Sequence, residues 1–240
     1  MTVRSDQCRR VYSEWFDPAN GSVKIPKPAI MKRDGFFRRE RNGLEVERDY
    51  QMWHDREHLL RLDNPERELI MPKAPVLAAL SADFGMRVAD IGSGIGYFSL
   101  PLAVAVGESG VVFAVDPSSA AREELKARAK TADLHQITVL EGDAASTHLD
   151  DNALDRVLWH TMYHEVPDRE QAFDEMRRIL KPGGQWVLVD WQKIETAFGP
   201  PLVHRFTLDE VISEVTQRGF REVRRFEPGP VTWGLVVERP

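Results

Sequence analysis

Residues 88–96 read Val88-Ala89-Asp90-Ile91-Gly92-Ser93-Gly94-Ile95-Gly96, a short apolar run carrying one carboxylate and then three glycines at alternate positions. An apolar run of this length bounded by glycine reads as a buried strand, and residues 95–106 continue with helical spacing, so the glycines lie in a strand-to-helix turn. Gly92 and Gly94 permit a tight turn and close approach of the backbone to a ligand, while Gly96 lets the helix pack on the sheet. In open α/β sheets such a turn lies at a strand's carboxyl end, where nucleotide-like ligands bind. A glycine turn before a helix also serves packing alone. The dinucleotide pattern would need glycine at 97, where Tyr97 stands, and no Gly-Lys-Ser/Thr follows, so a pyrophosphate-cradling loop is disfavoured.

Downstream the alternation continues. Apolar runs at 111–115, 137–140, 154–159 and 185–190 are separated by helical patterns at 118–130 and 169–180, the second ending at Lys181-Pro182-Gly183-Gly184. Strands separated by helices of this length imply right-handed βαβ units and a doubly wound parallel sheet covered on both faces. After Gly199-Pro200-Pro201, one helix (207–218) precedes strands at 222–226 and 231–237, spaced for a hairpin at the sheet edge, which makes the sheet mixed. Upstream, residues 1–45 carry turn chemistry (Asp17-Pro18, Asn20-Gly21, Asp34-Gly35, Asn42-Gly43) and read as an irregular arm. Helical spacing returns over 44–62, with Tyr50 and Trp53, then in a short helix near Pro65 and a third over 75–80. The chain divides into an N-terminal arm and helical lid, 1–73, and a body, 74–240.

The 240 residues hold 32 basic against 38 acidic side chains and one cysteine. This composition excludes disordered, collagen-like and disulfide-stapled classes and makes the cytoplasm the default location. No apolar run approaches the roughly 20 residues needed to span a bilayer, and no apolar stretch follows Arg4, Arg9 and Arg10 as a signal peptide requires. The mild acidity argues against a broad nucleic-acid surface, although residues 1–41 hold ten Lys/Arg against five Asp/Glu.

Asp116 ends the second strand, twenty residues after Gly96, where a carboxylate can accept both hydroxyls of a ribose. The third strand ends in Glu141-Gly142-Asp143, where an acceptor can take the exocyclic amine of an adenine. Three successive strand ends then offer a loop, a ribose acceptor and a base acceptor: an adenosine site without phosphate contacts. Each acid taken singly also suits a helix cap, as Asp116 before Pro117 does.

Val88 to Gly96, Ala114-Val115-Asp116, Gly142-Asp143 and Leu180-Lys181-Pro182-Gly183-Gly184, in this order and spacing, resemble the class I S-adenosylmethionine-dependent methyltransferases over residues 74–238. The resemblance implies a Rossmann-like sheet of seven strands with the last antiparallel, S-adenosylmethionine as cofactor and S-adenosylhomocysteine as product. It implies that Asp90, Gly92, Ser93, Gly94 and Gly96 line the methionine part, that Asp116 and Pro117 hold the ribose, and that Asp143 and the Ala144 amide read the adenine. Trp159 and His160 fall where methionine amino group and acceptor meet.

Methyl transfer from a sulfonium is an in-line displacement that mainly needs alignment and exclusion of water. Where the acceptor carries a proton a base helps, and His164, His160 and Tyr163 follow the fourth strand, with His164 preferred. Loop histidines also serve to bond backbone or orient a neighbour. His160 and His164 read less well as metal ligands, since the segment is a loop, so no metal is expected. Leu158-Trp159-His160-Thr161 replaces the Asn/Asp-Pro-Pro-Tyr/Phe element that stacks a flipped base, which disfavours a nucleic-acid substrate. Cys8 alone cannot bind arsenic as the arsenite methyltransferases do. The stretch 173–184 resembles the small-molecule group that includes the ubiquinone and menaquinone methyltransferases, and implies a small or medium organic acceptor. Two rivals stand beside this reading: an RNA or protein methyltransferase that docks through its basic arm, and a non-catalytic S-adenosylmethionine-binding assembly factor.

Overall fold

The computed structural model describes residues 67–196 and 199–240, together with the backbone of a short antiparallel ladder pairing Phe16–Asp17 with Ser22–Val23. The rest of the irregular arm, the helix expected over 44–62 with Tyr50 and Trp53, and the basic residues 32–41 lie outside the described residues.

Seven strands build the sheet: β1 Arg87–Ile91, β2 Val111–Asp116, β3 Ile137–Glu141, β4 Leu154–His160, β5 Leu180–Trp191, β6 Arg221–Gly229 and β7 Thr232–Glu238, in the order β3-β2-β1-β4-β5-β7-β6. β1 to β5 pair in parallel, and β7 runs antiparallel to both β5 and β6. The chain moves outward from β1 through β2 to β3 and then returns to β4. The carboxyl ends of β1 and β4 therefore flank the switch point where such sheets bind ligands.

The strands are near-continuous apolar runs because both faces are covered. Alternate residues feed two cores. Ala89 and Ile91, Val157 and Trp159, and Trp186 and Leu188 face one core with Phe173 and Met176 of α5 (Arg169–Ile179) and Val211 and Val215 of α6 (Leu208–Gln217). Val88, Leu158, Val187 and Val189 face the other, with Val76 and Leu80 of α2 (Lys73–Leu80) and Leu102 and Val106 of α3 (Ser99–Val106). A four-residue helix, α1 (Arg67–Ile70), precedes α2. Caps set several starts. Ser118 accepts the Ala121 amide before α4 (Ser119–Thr131), Asp168 accepts that of Gln171 before α5, and Thr207 with Glu210 forms a capping box before α6. No helix among the described residues is long and apolar enough to cross a membrane.

Two local expectations change. The helix expected from residue 95 begins at Ser99, because Gly94 (φ +52°) and Gly96 (φ +91°) hold left-handed backbone that carries the chain through a wider turn first. The fifth strand begins at Leu180, which pairs with Leu154 ahead of a register shift, so the Pro-Gly-Gly segment lies within the strand. The terminal hairpin forms at the sheet edge as expected, with its last strand β7 antiparallel beside β5 and β6 outermost.

Candidate cofactor and active site

The turn after β1 is held from the neighbouring strand. The amides of Gly92 and Ser93 both donate to the Val115 carbonyl, at 2.8 and 3.1 Å, and the Gly94 amide donates to Asp116 Oδ2 at 2.8 Å. Asp116 Oδ1 accepts the Ser118 amide at 2.9 Å, so one buried carboxylate closes the glycine loop and starts α4 together. Burial raises its pKa against the pull of these two amides. Asp90, also buried, accepts from Ser99 Oγ at 2.6 Å, and desolvation pushes its carboxyl up to about 6. Asp90 thus ties the end of β1 to the first turn of α3.

The two glycines that matter do different work. A β-carbon on Gly94 would meet nothing within 4 Å, so open space lies over the loop there. One on Gly96 would stand 2.3 Å from Leu125 Cδ1, so α4 packs against bare backbone. At the end of β3, Asp143 is exposed, and its Oδ1 accepts the amides of Ala145 and Ser146 at 2.8 and 2.9 Å. The loop that carries it is anchored from below: Thr147 donates through its amide (2.9 Å) and hydroxyl (2.5 Å) to Glu175 Oε1 on α5. Ala144 is buried next to it, and Pro117 lies exposed beyond Asp116.

His160 ends β4 on the α3 side. It is 7% exposed, its ring centroid is 4.6 Å from that of Phe98, and its Nδ1 lies 3.3 Å from Thr161 Oγ1. Burial, with the positive charge of Arg67, holds its pKa well below the usual imidazole range, so the ring is neutral. Its Nε2 and the loop hydroxyl Ser93 Oγ are buried without hydrogen-bond partners. Trp159 points to the opposite face, into the core against Phe173 and Trp186.

His164 lies in a 3-10 turn, Tyr163–Glu165, and meets Asp190 at the end of β5: Nδ1 is 2.8 Å from Oδ1, and its amide donates to Oδ2 at 3.2 Å. Burial opposes the imidazolium, but Asp190 and Glu165 outweigh it and push its pKa up to about 10. Tyr163 is turned away into the core, where its hydroxyl donates to Glu214 Oε2 at 2.7 Å; burial and that carboxylate raise the phenol's pKa. The structure therefore groups Asp90, Gly92, Ser93, Gly94, Asp116 and His160 around the glycine loop, sets Asp143 at the far end, and keeps Trp159 and Tyr163 inside the core.

An adenosylated amino acid suits this set. Each Asp116 oxygen has accepted one amide and keeps a second lone pair for a ribose hydroxyl, the space over Gly94 is open, and the two unpartnered polar atoms at Ser93 and His160 can meet a polar amino-acid end. Ser99, Phe98 and Met162, whose Sδ would stand 3.0 Å from a β-carbon on Gly92, were not singled out by sequence. Asp190 closes the run read at 185–190, and its pairing with His164, 26 positions away, is not legible in the sequence.

A family model described as a methyltransferase domain matches residues 89–188. Demethylmenaquinone methyltransferase of Listeria welshimeri is 31% identical over 122 residues, which is 48% of this chain and 52% of that protein. The Staphylococcus epidermidis protein of the same name is 35% identical over 115 residues, 48% of this chain and 47% of its own. The chain spans about half the length of these curated relatives. A SAM dependent methyltransferase from Aquifex aeolicus superposes with a TM-score of 0.73 at 27% identity, covering 78% of this chain and 99% of that one. Strand order, glycine loop, strand-end acids and these likenesses agree: the chain carries a class I S-adenosylmethionine-dependent methyltransferase domain.

Proposed function

We propose that the protein transfers a methyl group from S-adenosylmethionine to a small or medium organic acceptor. The observation that carries this reading is the row of acids at the carboxyl ends of three adjacent strands, Asp90, Asp116 and Asp143, with an open glycine loop between the first two. The cofactor supplies an electrophilic methyl on a sulfonium. The chain's own contribution is to hold the ribose at Asp116 and the adenine at Asp143 and the Ala144 amide, and so to aim the methionine end at the β1–β4 crevice. Alignment there, with water excluded, accounts for most of the rate enhancement such a displacement needs.

His160 is the better proton acceptor of the two histidines, because its ring is neutral and Nε2 carries no partner. His164 already holds its proton against Asp190, which suits it to fix the acceptor-side wall and to supply a cationic donor. The demethylmenaquinone methyltransferases among the relatives make demethylated quinones the first acceptors to try. A cytoplasmic site of action, and a lid role for residues 1–73, complete the proposal.

Calorimetric titration with S-adenosylmethionine and S-adenosylhomocysteine, with Asp116→Ala as control, is the test. Binding by the wild type that is lost in the variant supports the site and justifies an acceptor screen with labelled methyl donor. Folded protein that binds neither ligand overturns the reading.

A further inference from the structure

Tyr97 occupies the position after the last loop glycine, and its side chain reaches back to the segment that enters the domain. Its hydroxyl lies 2.8 Å from both Glu68 Oε2 and the Met71 carbonyl. The Arg67 guanidinium sits 4.0 Å from its ring centroid and Lys73 Nζ 3.8 Å, with Lys73 also bonded to Glu68. A phenol is suited to this: the ring face attracts two cations and the hydroxyl meets a carboxylate and a carbonyl. Across the loop, the Tyr97 ring lies 6.4 Å from that of His160 and packs edge-on to Phe98. The charge of Arg67 is felt at both Asp90 and His160.

The sheet order says which end of the site this is. Asp143 and Asp116 stand on β3 and β2, on one side of β1, whereas His160 stands on β4, on the other. With adenine and ribose toward β3 and β2, the Tyr97 cluster lies at the methionine end. We propose that Tyr97 is a positioning residue that docks residues 67–73 onto the glycine loop and thereby sets Arg67 at the methionine end of the cofactor site. The proposal rests on the S-adenosylmethionine reading above and adds to it the residue that builds that end.

The test compares two ligands by calorimetry: S-adenosylhomocysteine, and 5′-methylthioadenosine, which lacks the amino-acid part. Tyr97→Leu weakens S-adenosylhomocysteine about ten-fold and leaves methylthioadenosine within about two-fold, Tyr97→Phe keeps most of the affinity through its ring, and Arg67→Gln, which removes the guanidinium and keeps the Tyr97 side chain, repeats the Leu pattern. Equal weakening of both ligands marks general damage to the loop and overturns the proposal, as does no change in either. If wild-type protein binds neither ligand the methyltransferase reading falls, and hydrogen exchange decides the docking by itself. Faster exchange of the 67–73 amides in Tyr97→Leu supports it, and unchanged exchange overturns it.

Discussion

Asp190, at the end of β5, holds His164 twice, accepting its Nδ1–H at 2.8 Å and its backbone amide at 3.2 Å, with both side chains buried. The histidine pKa is raised to about 10, so the folded state binds its proton more tightly than the unfolded chain does. The stabilisation is fully present below the unfolded value of about 6.5 and is lost as pH rises through about 10. Urea unfolding of wild type at pH 6, 8 and 10 will show falling stability across that window. His164→Ala, which strands a buried carboxylate, will cost about 3–5 kcal/mol at pH 6 and flatten the slope.

Asp90 gives a second signature, in a lower window. Its carboxyl is raised to about 6 by burial, so its contribution to stability is fully present below the unfolded carboxylate value of about 4 and is lost as pH rises through about 6. Asp90→Asn keeps the shape and removes the titration. The difference in unfolding free energy between variant and wild type will change between pH 4 and 6 by about 2–3 kcal/mol, in the variant's favour at the higher pH. A difference independent of pH across that range would refute the assignment.

Gly94 and Gly96 separate binding from folding. Gly94→Ala puts a methyl into open space over the loop, at a backbone strain cost of about 1–2 kcal/mol, and will weaken S-adenosylhomocysteine by an order of magnitude or more in a protein that still folds. Gly96→Ala drives its methyl into Leu125 and will lower stability by about 2–4 kcal/mol, from strain plus overpacking. Thermal unfolding alongside calorimetry distinguishes the two, and equal effects on both readouts in both variants would show that the loop does not divide its work this way.

Glu175 touches no candidate ligand group, yet it anchors the Asp143 loop through Thr147 and is itself paired with Arg178. Glu175→Ala will therefore weaken methylthioadenosine several-fold without altering the ratio of the two ligands' affinities, the opposite pattern from Tyr97→Leu. A changed ratio would mean that the anchor acts on the methionine end instead.

The parts legible in the sequence are those whose cause is local. The glycine turn after Ile91, the acids at 116 and 143, and the helix starts near 118, 169 and 207 announce themselves in a few adjacent residues, because backbone conformation and strand ends are set over that range. What the sequence hid is non-local. His164 and Asp190 stand 26 positions apart, and Tyr97 and Glu68 29, and nothing in either neighbourhood names its partner. The charge state of His160 was equally hidden, since it follows from burial against Phe98 and from a cation on another element. Tyr97 was read only as a missing glycine, although a large aromatic in place of a small residue is itself a signal of something to reach.

β7 lies between β5 and β6 although it follows both along the chain. Its backbone continues that role past its end, where Arg239 exchanges amide and carbonyl bonds with Gly184 and Gly183. During synthesis, β6 therefore has no edge to join until residue 238 has cleared the ribosome, and the exposed side of β5 stays an unpaired, apolar template meanwhile. Nascent chains arrested before β7 should accumulate with chaperones or aggregate, whereas chains arrested beyond it close the sheet, so the commitment to fold waits for the emergence of β7.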